Sequence, residues 1–261
     1  MKKIAVIGAG VYGAALGDIL SEKGFLVLYY DPKLPDTNIV SVVDRANYIL
    51  LAAPSTSVDH ILPSLPKDIP LIVATKGILS KDTFSEFSDV MLISGPGYAV
   101  DIVKKKKTKL TATDSRVIEL FSTNYLSFDY TDDFQGVLLS GSLKNVYAIG
   151  AGILSLEYGS PEWRKYISDA YLEFKSILKI NDCDPHTADL SCGIGDLKLT
   201  CDTPSRNYQF GQDLANNKKT STHETVEGLS TARSIHDGKL ALPEDADILK
   251  NIVKRVIDGT K

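Results

Sequence analysis

The chain has 261 residues, 43% of them hydrophobic and 24% charged, with a formal net charge of −4. That is apolar content enough for one or two domains with real cores, and the charge balance excludes wholesale binding to nucleic acid or membrane surfaces. Cys183, Cys192 and Cys201 form no Cys-x-x-Cys pair and have no histidine cluster at ligand spacing. The expectation is reduced thiols in a cytoplasmic protein and no metal site.

The opening "MKKIAVIGAG" has the charged start and apolar run of a short signal peptide. The run breaks at Gly8 and enters a glycine-rich turn, so it reads as a first strand. "AALGDILSEKG" reads as a helix ended by Gly24, "FLVLYYD" as a second strand, "NYILLAAP" as a third and "PLIVATKG" as a fourth, with the helical "SVDHILPSL" between the last two. "VMLISGPG" is a fifth strand, and two weaker ones, "KLTAT" and "LSFDY", flank a helix at "SRVIELFST". Near-continuous apolar strands alternating with helices indicate a doubly wound, mostly parallel α/β sheet covered on both faces. The charge run "KKKKTK" at 104–109 reads as a solvated hairpin or loop; the sharper alternative is steering of an anionic substrate.

From about residue 130 the pattern becomes helical only: helices are expected at 134–155, 161–180, 222–236 and 244–257, around a loop-rich middle. Domains of 1–132 and 133–261 follow. Gly136–Leu156 is the one stretch long enough to test as a membrane span. Lys144, Asn145, three serines and four glycines argue against one, because a charge at the centre of an isolated span is costly.

"GAGVYG" sets Gly8, Gly10 and Gly13 as G-x-G-x-x-G between an apolar strand and a helix, the context in which this motif binds a dinucleotide. The glycines allow a tight turn, close approach of backbone to a pyrophosphate, and close helix–strand packing; the helix start offers N–H groups and a positive dipole end. Asp31 ends the next strand, where a carboxylate would accept from the adenosine ribose and repel a 2′-phosphate. NAD(H) is therefore favoured over NADP(H).

Lys76 and the pair Gly95 and Gly97 follow strand ends, where ligands of open α/β sheets gather; Lys76 could be a surface loop lysine, but its place right after a buried strand favours a site role. "GIGDLKLTCDTPSRNYQFG" carries Asp196, Thr200, Ser205, Arg206 and Asn207. Arg206 beside Asn207 could clamp a phosphate, and a helix cap would use "SRN" equally well. Glu227 alone reads as a helix-start acid. On a helix, Lys144 neighbours Ser140, Gly141, Tyr147 and Ala148. The small ones leave room for a ligand; generic odds favour a snorkelling lysine.

Taken in order, "GAGVYGAAL", "ATKGIL", "ISGPGYA", "GSLKNVYAIGAGI", "GIGDLKLTCDTPSRNYQFG" and "VEGLSTA" resemble the bacterial type of NAD(P)-dependent glycerol-3-phosphate dehydrogenase across residues 8–232. The resemblance implies a Rossmann-like N-terminal domain and an all-α C-terminal domain of the 6-phosphogluconate-dehydrogenase-like type. It implies reversible hydride transfer between NAD(H) or NADP(H) and dihydroxyacetone phosphate, giving sn-glycerol 3-phosphate for glycerophospholipid synthesis. The catalytic lysine falls on Lys144, with Asp196 orienting and balancing it. Substrate contacts fall on Asn145, Asp196 and Thr200, and the phosphate pair on Arg206 and Asn207 with Ser205 adjacent. Lys76, Gly95 and Gly97 fall at the substrate and nicotinamide site; Val11, Tyr12, Lys76, Ala99, Arg206 and Glu227 fall on cofactor contacts.

The chain departs from the family's pattern in five places, among them a short C-terminal helical region and the acid Asp31, unusual for bacterial members, which mostly use NADPH. The segment after Asp31 is short, Gly97 stands where a threonine or serine is usual, and "SPEWRKY" replaces an Asn-Arg-Ala stretch. Two alternatives follow: a related reductase of another small phosphorylated or carboxylated ketone, and a non-catalytic dinucleotide-binding sensor. The expected partner is a small phosphate-bearing substrate, with no nucleic acid and no membrane span; a homodimer is an option left open.

Overall fold

The computed structural model describes residues 1–35, 37–77, 80–157, 160–202, 205–218 and 226–260. The chain divides into two compact units, one of residues 1–76 and 81–134, the other of 77–80 and 135–261.

The first unit is a seven-stranded sheet in the order β2-β1-β3-β4-β5-β6-β7. Its strands are β1 (Lys3–Ile7), β2 (Leu26–Tyr30), β3 (Tyr48–Leu51), β4 (Leu71–Val73), β5 (Val90–Ser94), β6 (Thr108–Ala112) and β7 (Leu126–Tyr130). All pairs are parallel except β5–β6, where Ile93 lies opposite Ala112 in antiparallel register. The central strands are aliphatic without interruption, and Ile4–Ile7, Ile49–Leu51 and Leu71–Val73 are sealed from solvent on both faces, as a helix-covered parallel sheet requires. The helices are α1 (Val11–Glu22), α2 (Ile39–Val43), α3 (Ser55–Ile61), α4 (Ala99–Val103) and α5 (Ser115–Phe121). The chain leaves β1 for β2 on one side and returns to β3 on the other. The turn after β1 therefore sits at the switch point where such sheets bind ligands.

Two short helices, α2 and α4, were not expected. Both are runs of β-branched residues with weak helix propensity, and Asn38 starts α2 by accepting from the Val40 N–H at 2.8 Å. The run at 104–109 is a loop that becomes strand at Thr108. Lys105 pairs with Glu22, Lys106 with Asp101 and Lys109 with Asp129. Three of the charges that steering would have used are thus neutralised locally.

The second unit is helical: α6 (Phe134–Glu157), α7 (Ser160–Ile180), α8 (Asp196–Asp202), α9 (Arg206–Ala215), α10 (Glu227–His236) and α11 (Asp247–Gly259). The expected loop-rich middle is more ordered than its glycines and serines suggested. It contains α8 and α9, preceded by a 3₁₀ turn at Pro185–Asp189 and a π-turn at Ser191–Gly195. Residues 222–225 of the expected helix 222–236 lie outside the described residues, as do Thr203 and Pro204. Helix α6 is long and apolar enough to cross a membrane, yet 94% of that window is buried inside the protein. It is a core helix, apolar all round because protein surrounds it. Phe174, Ile177, Phe210, Leu229, Leu249 and Val256 from its neighbours fill the same core. Helix α9 crosses α6 with no room for a side chain: a Cβ on Gly211 would stand 2.0 Å from the Ile149 carbonyl oxygen.

Candidate active site

The first unit builds its site from backbone and open space. Gly8 has φ +101°, and a Cβ there would meet the Ala52–Ala53 backbone at 2.7 Å; a Cβ on Gly13 would stand 2.1 Å from the Gly8 carbonyl oxygen. Only glycine allows α1 to start this close to the ends of β1 and β3. Gly10 is the reverse case, because no described residue lies within 4 Å of where its Cβ would be. Gly10 is also the N-cap of α1 and gives that helix no side-chain cap, while the apolar side chain of Val11 stays 74% exposed beside it. A helix start with open space over it and an uncovered apolar rim fits the pyrophosphate and flat rings of a dinucleotide.

The Asp31 carboxylate is already oriented. Oδ2 accepts from the Ala9 N–H and Oδ1 from the Lys33 N–H, each at 3.0 Å. An ionised carboxylate has about four acceptor positions, so capacity remains for ribose hydroxyls. At the end of β4, Thr75 Oγ1 donates to Ala53 O at 2.8 Å and ties that end to β3. Lys76 Nζ then reaches the Gly95 carbonyl oxygen at 3.1 Å and lies 5.9 Å from the centre of the Tyr12 ring. Lys76, Gly95 and Tyr12 thus come together from β4, β5 and α1, with Ala99 opening α4 just beyond. At Gly97 a Cβ would press to 3.0 Å on Leu110 Cδ2 and 3.5 Å on Ile102 Cδ1, which gives the departure at this position a packing reason.

The second unit builds its site from buried side chains. Lys144 is 6% exposed and Asp196 2%. Lys144 Nζ lies 2.8 Å from Asp196 Oδ1 and 3.1 Å from Thr200 Oγ1, and Thr200 Oγ1 lies 3.2 Å from the same Asp196 oxygen. The lysine does not snorkel. The π-turn at 191–195 runs straight into α8, so Asp196 is that helix's first residue and Thr200 follows one turn later on the same side. Tyr147, also a helical neighbour of Lys144, is committed elsewhere. It is fully buried and donates to Glu173 Oε1 at 2.9 Å; burial and that carboxylate push its phenol well above the usual range.

One residue along, Asn145 Nδ2 donates to Glu227 Oε2 at 3.1 Å and to Gly141 O at 3.3 Å. Its Oδ1 accepts from Asn207 Nδ2 at 3.0 Å, and Asn207 Oδ1 accepts from the Gly228 N–H at 2.9 Å. The contest over "SRN" resolves into three roles. Ser205 is the N-cap of α9, accepting from Tyr208 N at 3.2 Å. Asn207 is buried in the amide pair. Arg206 stands exposed on the first turn of α9 with no partner among the described residues. The sequence did not reveal the Asn145–Asn207–Glu227 connection; its members lie far apart in the chain, and only the crossing of α6, α9 and α10 joins them. Glu173 was missed for the same reason. It is an acid within an amphipathic helix whose carboxylate accepts from the Ile248 and Leu249 N–H groups at 2.8 and 2.9 Å, capping α11.

Residues 133–261 match the family described as NAD-dependent glycerol-3-phosphate dehydrogenase C-terminus. The chain is 32% identical to glycerol-3-phosphate dehydrogenase [NAD(P)+] of Leptospira biflexa serovar Patoc, covering 89% of this chain and 86% of that one. It is 28% identical to the enzyme of the same name from Desulfotalea psychrophila, covering 98% and 93%. Its fold is similar to the crystal structure of glycerol-3-phosphate dehydrogenase from Coxiella burnetii, with a TM-score of 0.80 over 98% of this chain and 99% of that one at 22% identity.

Proposed function

This chain belongs to the family of NAD(P)-dependent glycerol-3-phosphate dehydrogenases, and we propose from that premise that it reduces dihydroxyacetone phosphate reversibly to sn-glycerol 3-phosphate. The observation that carries the reading is the buried set Lys144–Asp196–Thr200, with contacts of 2.8–3.2 Å. Hydride addition to a ketone leaves negative charge on its oxygen. An ammonium group at that oxygen stabilises the charge and can hand over a proton. Asp196 and Thr200 hold Lys144 Nζ in one position, so little reorganisation is needed as the charge develops. Arg206 offers an exposed planar fork for the phosphate. A bound nicotinamide supplies the hydride. In this reading Gly8, Gly10, Val11, Tyr12, Gly13 and Asp31 hold the dinucleotide, with Lys76 and Ala99 beside it, and Asp31 favours NAD(H). The product is the backbone of glycerophospholipids. Cys183, Cys192 and Cys201 are buried and form no disulfide among the described residues, which suits a reducing cytoplasm.

The test is a nicotinamide absorbance assay on the purified chain with dihydroxyacetone phosphate and either NADH or NADPH. Ketone-dependent oxidation is expected, with the higher kcat/KM for NADH. Turnover of a different ketone but not of this one moves the chain to a related reductase. Nucleotide binding without turnover of any ketone makes it a sensor.

A further inference from the structure

Helix α8 carries two of the three groups in the buried set, Asp196 and Thr200, and it is seven residues long. A helix that short does not hold its own direction, so its aim at Lys144 has to come from outside. Both of its ends are tied to α7. At the C-terminal end, Trp163 Nε1 donates to the Cys201 carbonyl oxygen at 3.3 Å. An indole N–H can only donate, and the last carbonyls of a helix have no donor within it, so the bond has one direction and one purpose. Trp163 is the chain's single tryptophan and belongs to "SPEWRKY", one of the stretches that depart from the family's pattern.

At the N-terminal end the tie runs through a block of two turns. Asp189 closes the 3₁₀ turn Pro185–Asp189, and the π-turn Ser191–Gly195 leads into Asp196. The two turns are stacked without room between them. The Gly193 N–H donates to the Leu190 carbonyl oxygen at 3.0 Å, and a Cβ on Gly193 would stand 2.3 Å from the Ala188 carbonyl oxygen. Whatever fixes Asp189 therefore fixes the start of α8, and α7 fixes it. Asp189 Oδ1 accepts from the Tyr171 hydroxyl and from Lys175 Nζ at 2.9 Å, and Oδ2 accepts from Lys175 Nζ at 3.1 Å. His186 Nδ1 lies 3.1 Å from Oδ2. The Tyr171 hydroxyl first, then the Lys175 ammonium, hold the Asp189 carboxyl at about 2, so this tie stays charged at any working pH. Tyr171 and Lys175 stand about 12 and 18 Å along α7 from Trp163, against a length of about 10 Å for α8. We infer that α7 fixes α8 from both ends, with Trp163 and Asp189 as positioning residues that aim Asp196 and Thr200 at Lys144. This rests on the function proposed above. Neither residue touches Lys144; each acts through α8.

The experiment measures kcat and KM for dihydroxyacetone phosphate, the Kd for NADH and the urea unfolding midpoint in three variants. Trp163→Phe keeps the aromatic packing and removes the N–H. Asp189→Ala removes the other tie. Lys165→Ala is the control, because Lys165 lies on the same helix and pairs with Asp169 within it. In the first two, kcat of the folded enzyme is expected to fall about tenfold or more, since a misplacement of about 1 Å far from the chemistry can cost about 10²-fold. KM and Kd stay within about twofold, and Lys165→Ala keeps the wild-type kcat. Should Trp163→Phe fail to fold, Asp189→Ala, at a partly exposed position, carries the test. A lower unfolding midpoint with an unchanged kcat would make the ties merely structural and overturn the inference. A loss in KM or Kd in place of kcat overturns it too, as does a fall in only one of two folded variants or an equal fall in Lys165→Ala. All of these leave the proposed function standing. A wild type that turns over no dihydroxyacetone phosphate overturns that function, and the inference with it.

Discussion

The two units solve the problem of placing polar groups in opposite ways. In the first, the candidate site is backbone and vacant space: the turn at Gly8, the open volume over Gly10 and the carbonyl of Gly95. The side chains there, Asp31 and Lys76, are held by backbone atoms. In the second, the site is a set of buried side chains that hold one another, Lys144 with Asp196 and Thr200, Asn145 with Asn207 and Glu227. The difference teaches which changes each half should tolerate. Adding atoms harms the first, whereas removing atoms harms the second twice, in chemistry and in stability.

The sharpest way to break that contrast is Lys144→Met. Turnover should fall by about 10³-fold or more. The Asp196 carboxylate left behind, 2% exposed, should cost about 3–5 kcal/mol in urea unfolding. The double variant Lys144→Met with Asp196→Leu should regain much of that stability and none of the turnover. Full activity in Lys144→Met would remove this residue from the chemistry.

Gly10→Ala tests the other half. No described residue lies within 4 Å of the new methyl, so unfolding should shift by less than about 1 kcal/mol. On the proposed reading the methyl enters space the dinucleotide would occupy, and the Kd for NADH from fluorescence titration should rise roughly tenfold, about 1.4 kcal/mol. An unchanged Kd places the dinucleotide elsewhere. A smaller effect is expected from Asp31→Asn, which keeps the shape and removes the charge. The ratio of kcat/KM for NADPH to that for NADH should rise several-fold, on the order of 1 kcal/mol. No change in that ratio ends the argument for NAD(H) from Asp31.

The smallest effect concerns a buried acid outside the chemistry. Burial raises the Glu173 carboxyl above its ordinary value of 4.5, although bonds from Tyr147, Ile248 and Leu249 oppose the shift. The folded protein then holds this proton more tightly than the unfolded chain. Its contribution to stability is full below the unfolded value and is lost as pH rises through the higher folded one. The melting temperature should therefore decline over that interval in the wild type, with a shallower slope in Glu173→Gln. Equal slopes would mean Glu173 titrates as it does in the unfolded chain.

Much of the first unit was legible because its signals are local. All seven strands fall on short runs rich in apolar residues, buried on both faces only in the central strands, and the glycine turn is written in six consecutive residues. What stayed hidden there was α2 and α4, where β-branched runs form helices against their propensity. In the second unit the long helices were legible from apolar content, and α8 and α9 were not, since glycine, proline and serine at 193–205 read as loop until their caps are seen.

The sequence by itself determined the fold class, the family and the identities of the polar residues, because residue type and order carry all three. It could not decide between a snorkelling and a buried Lys144, or between a cap and a clamp at "SRN". Those choices depend on which groups meet across distances of 52 to 82 positions, such as Lys144 with Asp196 and Asn145 with Glu227. Only the packing of α6 against α8, α9 and α10 sets those distances. A buried polar group has little freedom once packed, because each donor must find an acceptor there, and that requirement placed Asn145 between Glu227 and Asn207.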